Sequence, residues 1–482
     1  VDLLRGATNI FARGPRNLEV NTPFTVAGVR GTEFFLNVDD SETLMIVFEG
    51  TVVAQNPSGS LTLTDNQAAA AQSGRAPVLR TIVKPRDAVQ WALYYPPVVY
   101  FRGDEFPAGP GWQGMVRSST EAYAKGDLTG ALRAVENAPA DVRDPRFFAY
   151  RASLYLAVGR VDSARADIDR ALALAPNDAG ALSLQVIIAI VQNEKDRAYD
   201  LAQKNVAANP NSAAAWIALS YAQQARFDLP GARASVEKAV ALDPRNALAF
   251  ARLAEINSSF GDYDKTFAAA QQAATLDPSL ARTQTVLGFA YLIRVQIPEA
   301  RAAFERAIAL DQADPLPRLG LGLAKIRQGQ LEQGAGDIEI AASLDPTNAL
   351  VRSYLGKSYY EEKLGPRDER EYKVAKELDP NDPTPWFYDA ISKQTTNRRV
   401  EALQDMEQAI KLNDNRAVYR SDLLLDADNA SRSASLARIY TDLGFQQAAH
   451  RFARLARATQ LDLRGGQGPV RRRVQHGVGV DA

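Results

Sequence analysis

Residues 281–314 read ARTQTVLGFAYLIRVQIPEARAAFERAIALDQAD. Two helices fit this stretch, each of about 13 residues and roughly 20 Å long. Leu287 and Gly288 lie on the first, with Tyr291 one turn later. Ala300, Phe304 and Ala307 recur on the second at spacings of four and three. The small side chains of Gly288, Ala300 and Ala307 let two helix backbones approach closely, while Leu287, Tyr291 and Phe304 fill the adjoining gaps. The stretch therefore predicts a helical hairpin.

The same arrangement returns every 34 residues. Pro176, Pro210, Pro244, Pro278, Pro346 and Pro380 stand on one ladder of that step, and Gln312 and Asp414 occupy the rungs that lack proline. Leu-Asp-Pro triplets at 242–244, 276–278, 344–346 and 378–380 end one hairpin and open the next, because proline cannot continue a helix and drives its predecessor towards extended geometry. Frames begin at 145, 179, 213, 247, 281, 315, 349 and 383, giving eight full repeats over 145–416. The frame at 179 departs most, with Gln185 and Val186 at the Leu-Gly pair and Asn205 at the late alanine. A degenerate repeat is expected at 112–140, an irregular excursion at 415–430, a second degenerate repeat at 430–462 and a disordered basic tail at 463–482. A fixed period of this length means one unit stacked on copies of itself, a solenoid over 112–462.

Upstream the pattern changes. Residues 1–85 alternate as strands do, for example Leu44-Met45-Ile46-Val47-Phe48, and Asp39-Asp40-Ser41-Glu42 reads as a hairpin turn. Residues 86–111 form a connector, with helical turns expected over Asp87–Tyr95, ended by Pro96-Pro97. Its aromatic residues, Trp91, Tyr94, Tyr95, Tyr100 and Phe101, read as packing between the β-domain and the helical part. The expected fold is thus multidomain: a small all-β amino-terminal domain, a β-sandwich or β-roll, followed by an all-α solenoid.

The helical frames resemble the tetratricopeptide repeat. Trp216, Leu219, Ala232, Ala239 and Pro244 carry the likeness in one frame, and Leu355, Gly356, Tyr359, Ala375 and Pro380 in another. The resemblance implies a right-handed superhelix whose first helices line a concave groove. Inward positions then include Ile187, Ile190, Ile217, Tyr221, Phe289, Leu292, Leu319, Leu323, Ile326, Tyr360 and Phe387, with the charges Arg146, Glu255, Arg282 and Lys357. The partner-binding set expected from these is Ile187, Ile217, Tyr221, Phe289, Leu292, Leu323, Ile326, Tyr360 and Phe387. Such a wall suits an apolar extended or helical segment. Three readings stay open: a separate polypeptide, a segment of the same or a larger chain, or plain core.

The amino-terminal stretch Thr22-Pro23, Val29-Arg30-Gly31-Thr32-Glu33-Phe34 and Glu49-Gly50-Thr51-Val52 resembles the FecR family. That likeness implies a location in the periplasm or envelope of a Gram-negative bacterium. Arg30 is expected to satisfy strand carbonyls or to pair with Glu33 or Glu49, the alternative being ligand contact.

Composition removes most chemistry. The 482 residues carry 56 basic and 57 acidic side chains, no cysteine and two histidines. Disulfides, thiolate metal sites and cysteine nucleophiles are excluded, and histidine triads lack material. Near-neutral charge offers no field for nucleic acid, and no apolar run is long enough to cross a membrane. Gly320-Leu-Gly322 follows no strand and does not read as a dinucleotide loop. The expected function is a non-catalytic interaction scaffold of the cell envelope, without cofactor or metal. The expected partner is a protein or peptide, not nucleic acid, with a place within a larger envelope protein or assembly as a further reading. A regulatory component of the FecR type is the alternative, and an enzyme is a third reading.

Overall fold

The computed structural model describes residues 2–12, 18–80, 94–109, 111–137 and 142–412, and scattered residues between 435 and 454. The expected helical turns up to residue 93, the excursion at 415–430 and the tail at 463–482 lie outside these, as does most of the second degenerate repeat.

The β-domain is one seven-stranded antiparallel sheet. Its strands are β1 (Gly6–Ala12), β2 (Leu18–Asn21), β3 (Val26–Val38), β4 (Glu42–Asn56), β5 (Gly59–Leu63), β6 (Ala68–Gln72) and β7 (Val78–Arg80). The long β3–β4 hairpin is the spine. It turns at Asp39, whose Oδ1 accepts hydrogen bonds from the Ser41 and Glu42 amides at 2.7 and 2.8 Å, an arrangement that short polar turns favour. Along one half of the spine, β2 flanks β3 and β5 flanks β4; along the other half, β1 and β6 take those places. The register slips between Arg30 and Phe34, and such bulges bend a strand. The two halves share one core, in which Val20, Ala27, Val52 and Leu63 from the first meet Phe34, Leu36, Met45 and Val47 from the second. The sheet is folded back on itself as a roll.

Helices in pairs follow. α1 (Trp112–Tyr123) and α2 (Leu128–Glu136) make a short first pair. Eight full pairs succeed it: α3 (Pro145–Ala157) with α4 (Val161–Leu174), α5 (Ala179–Val191) with α6 (Lys195–Ala208), α7 (Ala213–Ala225) with α8 (Leu229–Leu242), α9 (Ala247–Ser259) with α10 (Tyr263–Leu276), α11 (Ala281–Ile293) with α12 (Ile297–Leu310), α13 (Pro315–Arg327) with α14 (Leu331–Leu344), α15 (Ala349–Glu361) with α16 (Arg367–Leu378), and α17 (Pro383–Thr395) with α18 (Arg399–Lys411). Each helix packs on its pair partner and on the next pair.

Local chemistry sets the hairpin boundaries. Asp144, Asp178, Ser212, Asn246, Asp314, Asn348 and Asp382 cap the first helices, each side chain accepting a backbone amide. They stand 34 residues apart, with Leu280 the one uncapped rung in the series. At the turn inside each pair the residue at Gly159, Asn193, Phe227, Gly261, Val295, Gly329, Lys363 or Asn397 has φ between 58° and 82°. This left-handed residue stops the first helix and aims the second back along it. In the deviant frame at 179, the buried Asn205 amide donates to Ser183 Oγ at 3.0 Å and to the Ala179 carbonyl at 3.2 Å, so the polar replacement of alanine is satisfied within its own pair.

The superhelix coils tightly. A Cβ on Gly126, in the turn between α1 and α2, would sit 2.4 Å from the Ala309 carbonyl at the end of α12. β1 contacts α14, so the roll rests on the middle of the solenoid.

Candidate functional site

The residues expected to face the groove stand on the first helices of the pairs. Of the residues expected there, Ile187, Ile217, Phe289, Leu292, Leu323 and Phe387 are buried. Tyr221, Ile326 and Tyr360 are half-buried. The inward charges behave in three ways. Arg146 pairs with its own cap residue, Asp144, at 2.6 Å. Lys357 pairs with Glu361 one turn on and lies over the Tyr360 ring. Glu255 and Arg282 pair with each other in a buried network with Arg252. The Arg252 guanidinium donates to Glu255 at 2.8 Å, to Ser220 Oγ at 3.0 Å and to Gln224 at 2.6 Å, and stacks on the Tyr221 ring at 3.6 Å. Burial works against the charge on Arg282, but Glu255 outweighs it and holds the guanidinium firmly protonated. Buried charges persist only when paired in this way.

An extended segment of the chain itself runs along this face. Tyr95, Val98 and Phe106 are buried in one cluster with Leu154, Ile187, Ile217 and Leu248 from four different first helices. Val99, Tyr100 and Phe101 pack against the same cluster, and Phe101 meets the Tyr150 ring edge-on at 5.0 Å. The two prolines at 96 and 97 hold the segment extended. Its polar groups read the turns between repeats in descending order. Tyr94 lies beside Asp311 and Asp314, the Tyr100 hydroxyl donates to Asp277 at 3.0 Å, and Arg102 pairs with Asp243 at 3.7 Å. Asp243, Asp277 and Asp311 are the aspartates of successive repeat ends, 34 residues apart. Arg245 returns the contact to Asp104 at 3.3 Å. The connector is therefore a strap that lies antiparallel to the solenoid, and the aromatic residues described in it pack into the groove.

Burial tunes the acids at the top of the strap. Asp314 is pushed up to about 7, first by burial and further by Asp311, with Arg282 opposing. Asp311 is raised by burial against hydrogen bonds from its own turn. Tyr94 is raised well above the ordinary phenol value by burial and by these two carboxylates.

A second network joins the β-domain to the solenoid. Arg352 donates to Glu33 at 2.6 Å, to Glu371 at 3.0 Å and to the Pro346 carbonyl at 2.9 Å, with all three charged side chains buried. Glu33 belongs to the Arg-Gly-Thr-Glu stretch of the roll, and the side chain it meets comes from α15. Nothing is described of the Arg30 or Glu49 side chains. Sequence reasoning missed Arg352 and Arg252, because other charges stand on the same helices, Lys357 and Glu361 on one and Glu255 on the other.

Strap, α1, α3 and the repeat ends border an open cavity of about 410 Å³. Tyr94, Tyr100, Phe101, Tyr123 and Tyr150 line it, together with Asp277 and Asp311. Among the described residues no group of three metal-ligating side chains forms, no helix is long and apolar enough to cross a membrane, and His450 is exposed.

Residues 1–53 match the model of the FecR protein family. The roll is FecR-like, and the paired helices form a tetratricopeptide-type solenoid by their own period, caps and turns. Solved structures similar to the chain include the human IFIT1 dimer with PPP-AAAA, at 15% identity over 72% of this chain and 89% of that one, with a TM-score of 0.45. The APC/C hetero-tetramer Cut9–Hcn1 is similar at 13% identity over 74% and 88%, with a TM-score of 0.43. YrrB, a TPR protein with an unusual peptide-binding site, is similar at 19% identity over 38% and 95%, with a TM-score of 0.27. No curated protein matches the sequence.

Proposed function

We propose that this protein is a non-catalytic interaction scaffold of the bacterial cell envelope, and that it binds an extended polypeptide along the concave face of its solenoid. The observation that carries this reading is the strap. A proline-stiffened, aromatic segment packs along the first helices and makes polar contacts to a periodic row of aspartates. A surface that holds one extended chain by apolar pockets and spaced acceptors has the chemistry to hold another. In this reading Tyr221, Ile326 and Tyr360 are the accessible contact points, and Ile187, Ile217, Phe289, Leu292, Leu323 and Phe387 are the wall behind them. The FecR likeness supports the envelope location.

A crosslinking pull-down from envelope extract tests the proposal, comparing the parent chain with one carrying Ile326→Ala and Tyr360→Ala. Loss of a specific partner at unchanged helicity is the expected result; an unchanged partner list contradicts it. A second reading, a regulatory component of the FecR type, draws on the Glu33–Arg352–Glu371 network, which ties the roll directly to the repeats and so gives the two parts a mechanical link.

A further inference from the structure

The cavity beside the strap has an unbalanced charge. Two guanidiniums line it, and each already faces acids: Arg102 lies between Asp104, Glu105 and Asp243, and Arg245 pairs with Asp104. Glu121 is answered from outside by Arg117 at 3.1 Å. The other two carboxylates meet only neutral donors. Asp277 accepts from the Tyr100 hydroxyl, the Ser279 amide and the Ser279 hydroxyl at 3.0, 3.0 and 2.8 Å. Asp311 accepts from the Ala313 amide at 2.9 Å and is only 4% exposed. Among the described residues no cation forms an ion pair with either. A buried carboxylate is costly without an opposite charge, and burial accordingly raises the Asp311 carboxyl.

The walls facing these acids are aromatic. The faces of tyrosine and phenylalanine rings are negative and attract a cation. Carboxylates at one end and aromatic faces along the sides together select a positively charged group with an apolar stem.

We propose that this cavity receives a cationic side chain, arginine or lysine, of the polypeptide that docks on the concave face. The inference rests on the reading of the groove as a polypeptide site and adds what that polypeptide must carry. The guanidinium or ammonium sits between Asp277 and Asp311, and its methylene stem lies against the rings. Its charge supplies the partner that Asp311 lacks. The strap's own Arg102 makes the equivalent contact one rung lower, to Asp243, whereas the strap meets Asp277 with a neutral hydroxyl.

The test titrates the full chain with acetyl-arginine N-methylamide and with its neutral isostere acetyl-citrulline N-methylamide, followed by calorimetry. Arginine is expected to bind at least about tenfold more tightly than citrulline. Asp311→Asn is expected to abolish that preference while circular dichroism stays unchanged. Asp277→Asn, on a half-buried residue, gives the same reading should the first substitution disturb folding. Equal affinity for the two compounds, no binding of either, or an arginine preference that survives both substitutions would overturn the proposal. Any of these outcomes is separable from the pull-down: a partner lost on Ile326→Ala and Tyr360→Ala with no arginine preference leaves the groove reading standing and removes this one.

Discussion

Val295 sits at φ 61° with its side chain 57% exposed. A β-branched residue in the left-handed region is strained, and here little packing compensates. Val295→Asn should raise stability by about 1 kcal/mol, read as a higher Tm. The equivalent turn residues are Gly or Asn at five of the eight turns, as the left-handed angle favours, and Phe227, Val295 and Lys363 adopt it because the hairpin imposes it. Asp314 gives a second prediction at this scale. Its carboxyl sits at about 7 in the folded chain against an ordinary value near 4 in the unfolded one. The folded state therefore binds the extra proton, stability is fullest below the unfolded value, and it falls as pH rises through about 7. Asp345, at about 6 for the same reason, bends the curve the same way. Asp314→Asn retains an acceptor for the Leu316 amide and should flatten the fall between roughly pH 4 and 7 by a few kcal/mol, measured by denaturant unfolding across that range. The charges surrounding Asp314 are Arg282 and Asp311, with the Tyr94 hydroxyl beside it.

The helix pair is the element on which the fold turns, and α11, α12 and α13 show how it closes. Phe304 of α12 lies between two glycines. A Cβ on Gly288 would meet its ring at 2.6 Å and one on Gly320 at 2.3 Å. Gly288 was legible in the quoted stretch because it faces Phe304 within one frame. Gly320 was not, because its contact crosses to the next frame, and only stacking brings the two together. Gly320→Ala should cost about 1 to 3 kcal/mol by overpacking. Gly336 in α14 is the control: a Cβ there meets nothing within 4 Å, so Gly336→Ala should stabilise by about 0.5 to 1 kcal/mol through helix propensity alone. Paired thermal melts of the two variants check both signs. The β-roll was legible to the same depth. The Asp39 turn and the alternation of β4 declare a hairpin, but the slip between Arg30 and Phe34 that folds the sheet over depends on pairing that a single sequence does not display.

At the scale of the whole molecule, the period specifies a groove, while what fills it depends on contacts between residues hundreds of positions apart. Tyr100 and Asp277, or Glu33 and Arg352, carry no local pattern that links them. Arg352→Ala would remove a guanidinium shared by two buried carboxylates, and should destabilise by about 3 to 5 kcal/mol; combining it with Glu33→Gln and Glu371→Gln should recover part of that loss in denaturant unfolding, because fewer charges then stay buried. The connector's aromatic residues pointed to packing between domains, yet those described line the groove, because the two prolines keep that stretch extended and the row of aspartates offers it acceptors. That placement is the centre of the account, and the lack of native cysteine makes it directly measurable. A Cβ on Gly180 would lie 3.6 Å from Val99 Cγ1, within disulfide reach. In a chain carrying Val99→Cys and Gly180→Cys, mild oxidation should give near-complete intramolecular crosslinking, seen as a mobility shift that reductant reverses; two thiols that stay reduced, or that link separate chains instead, would contradict a strap lying in the groove.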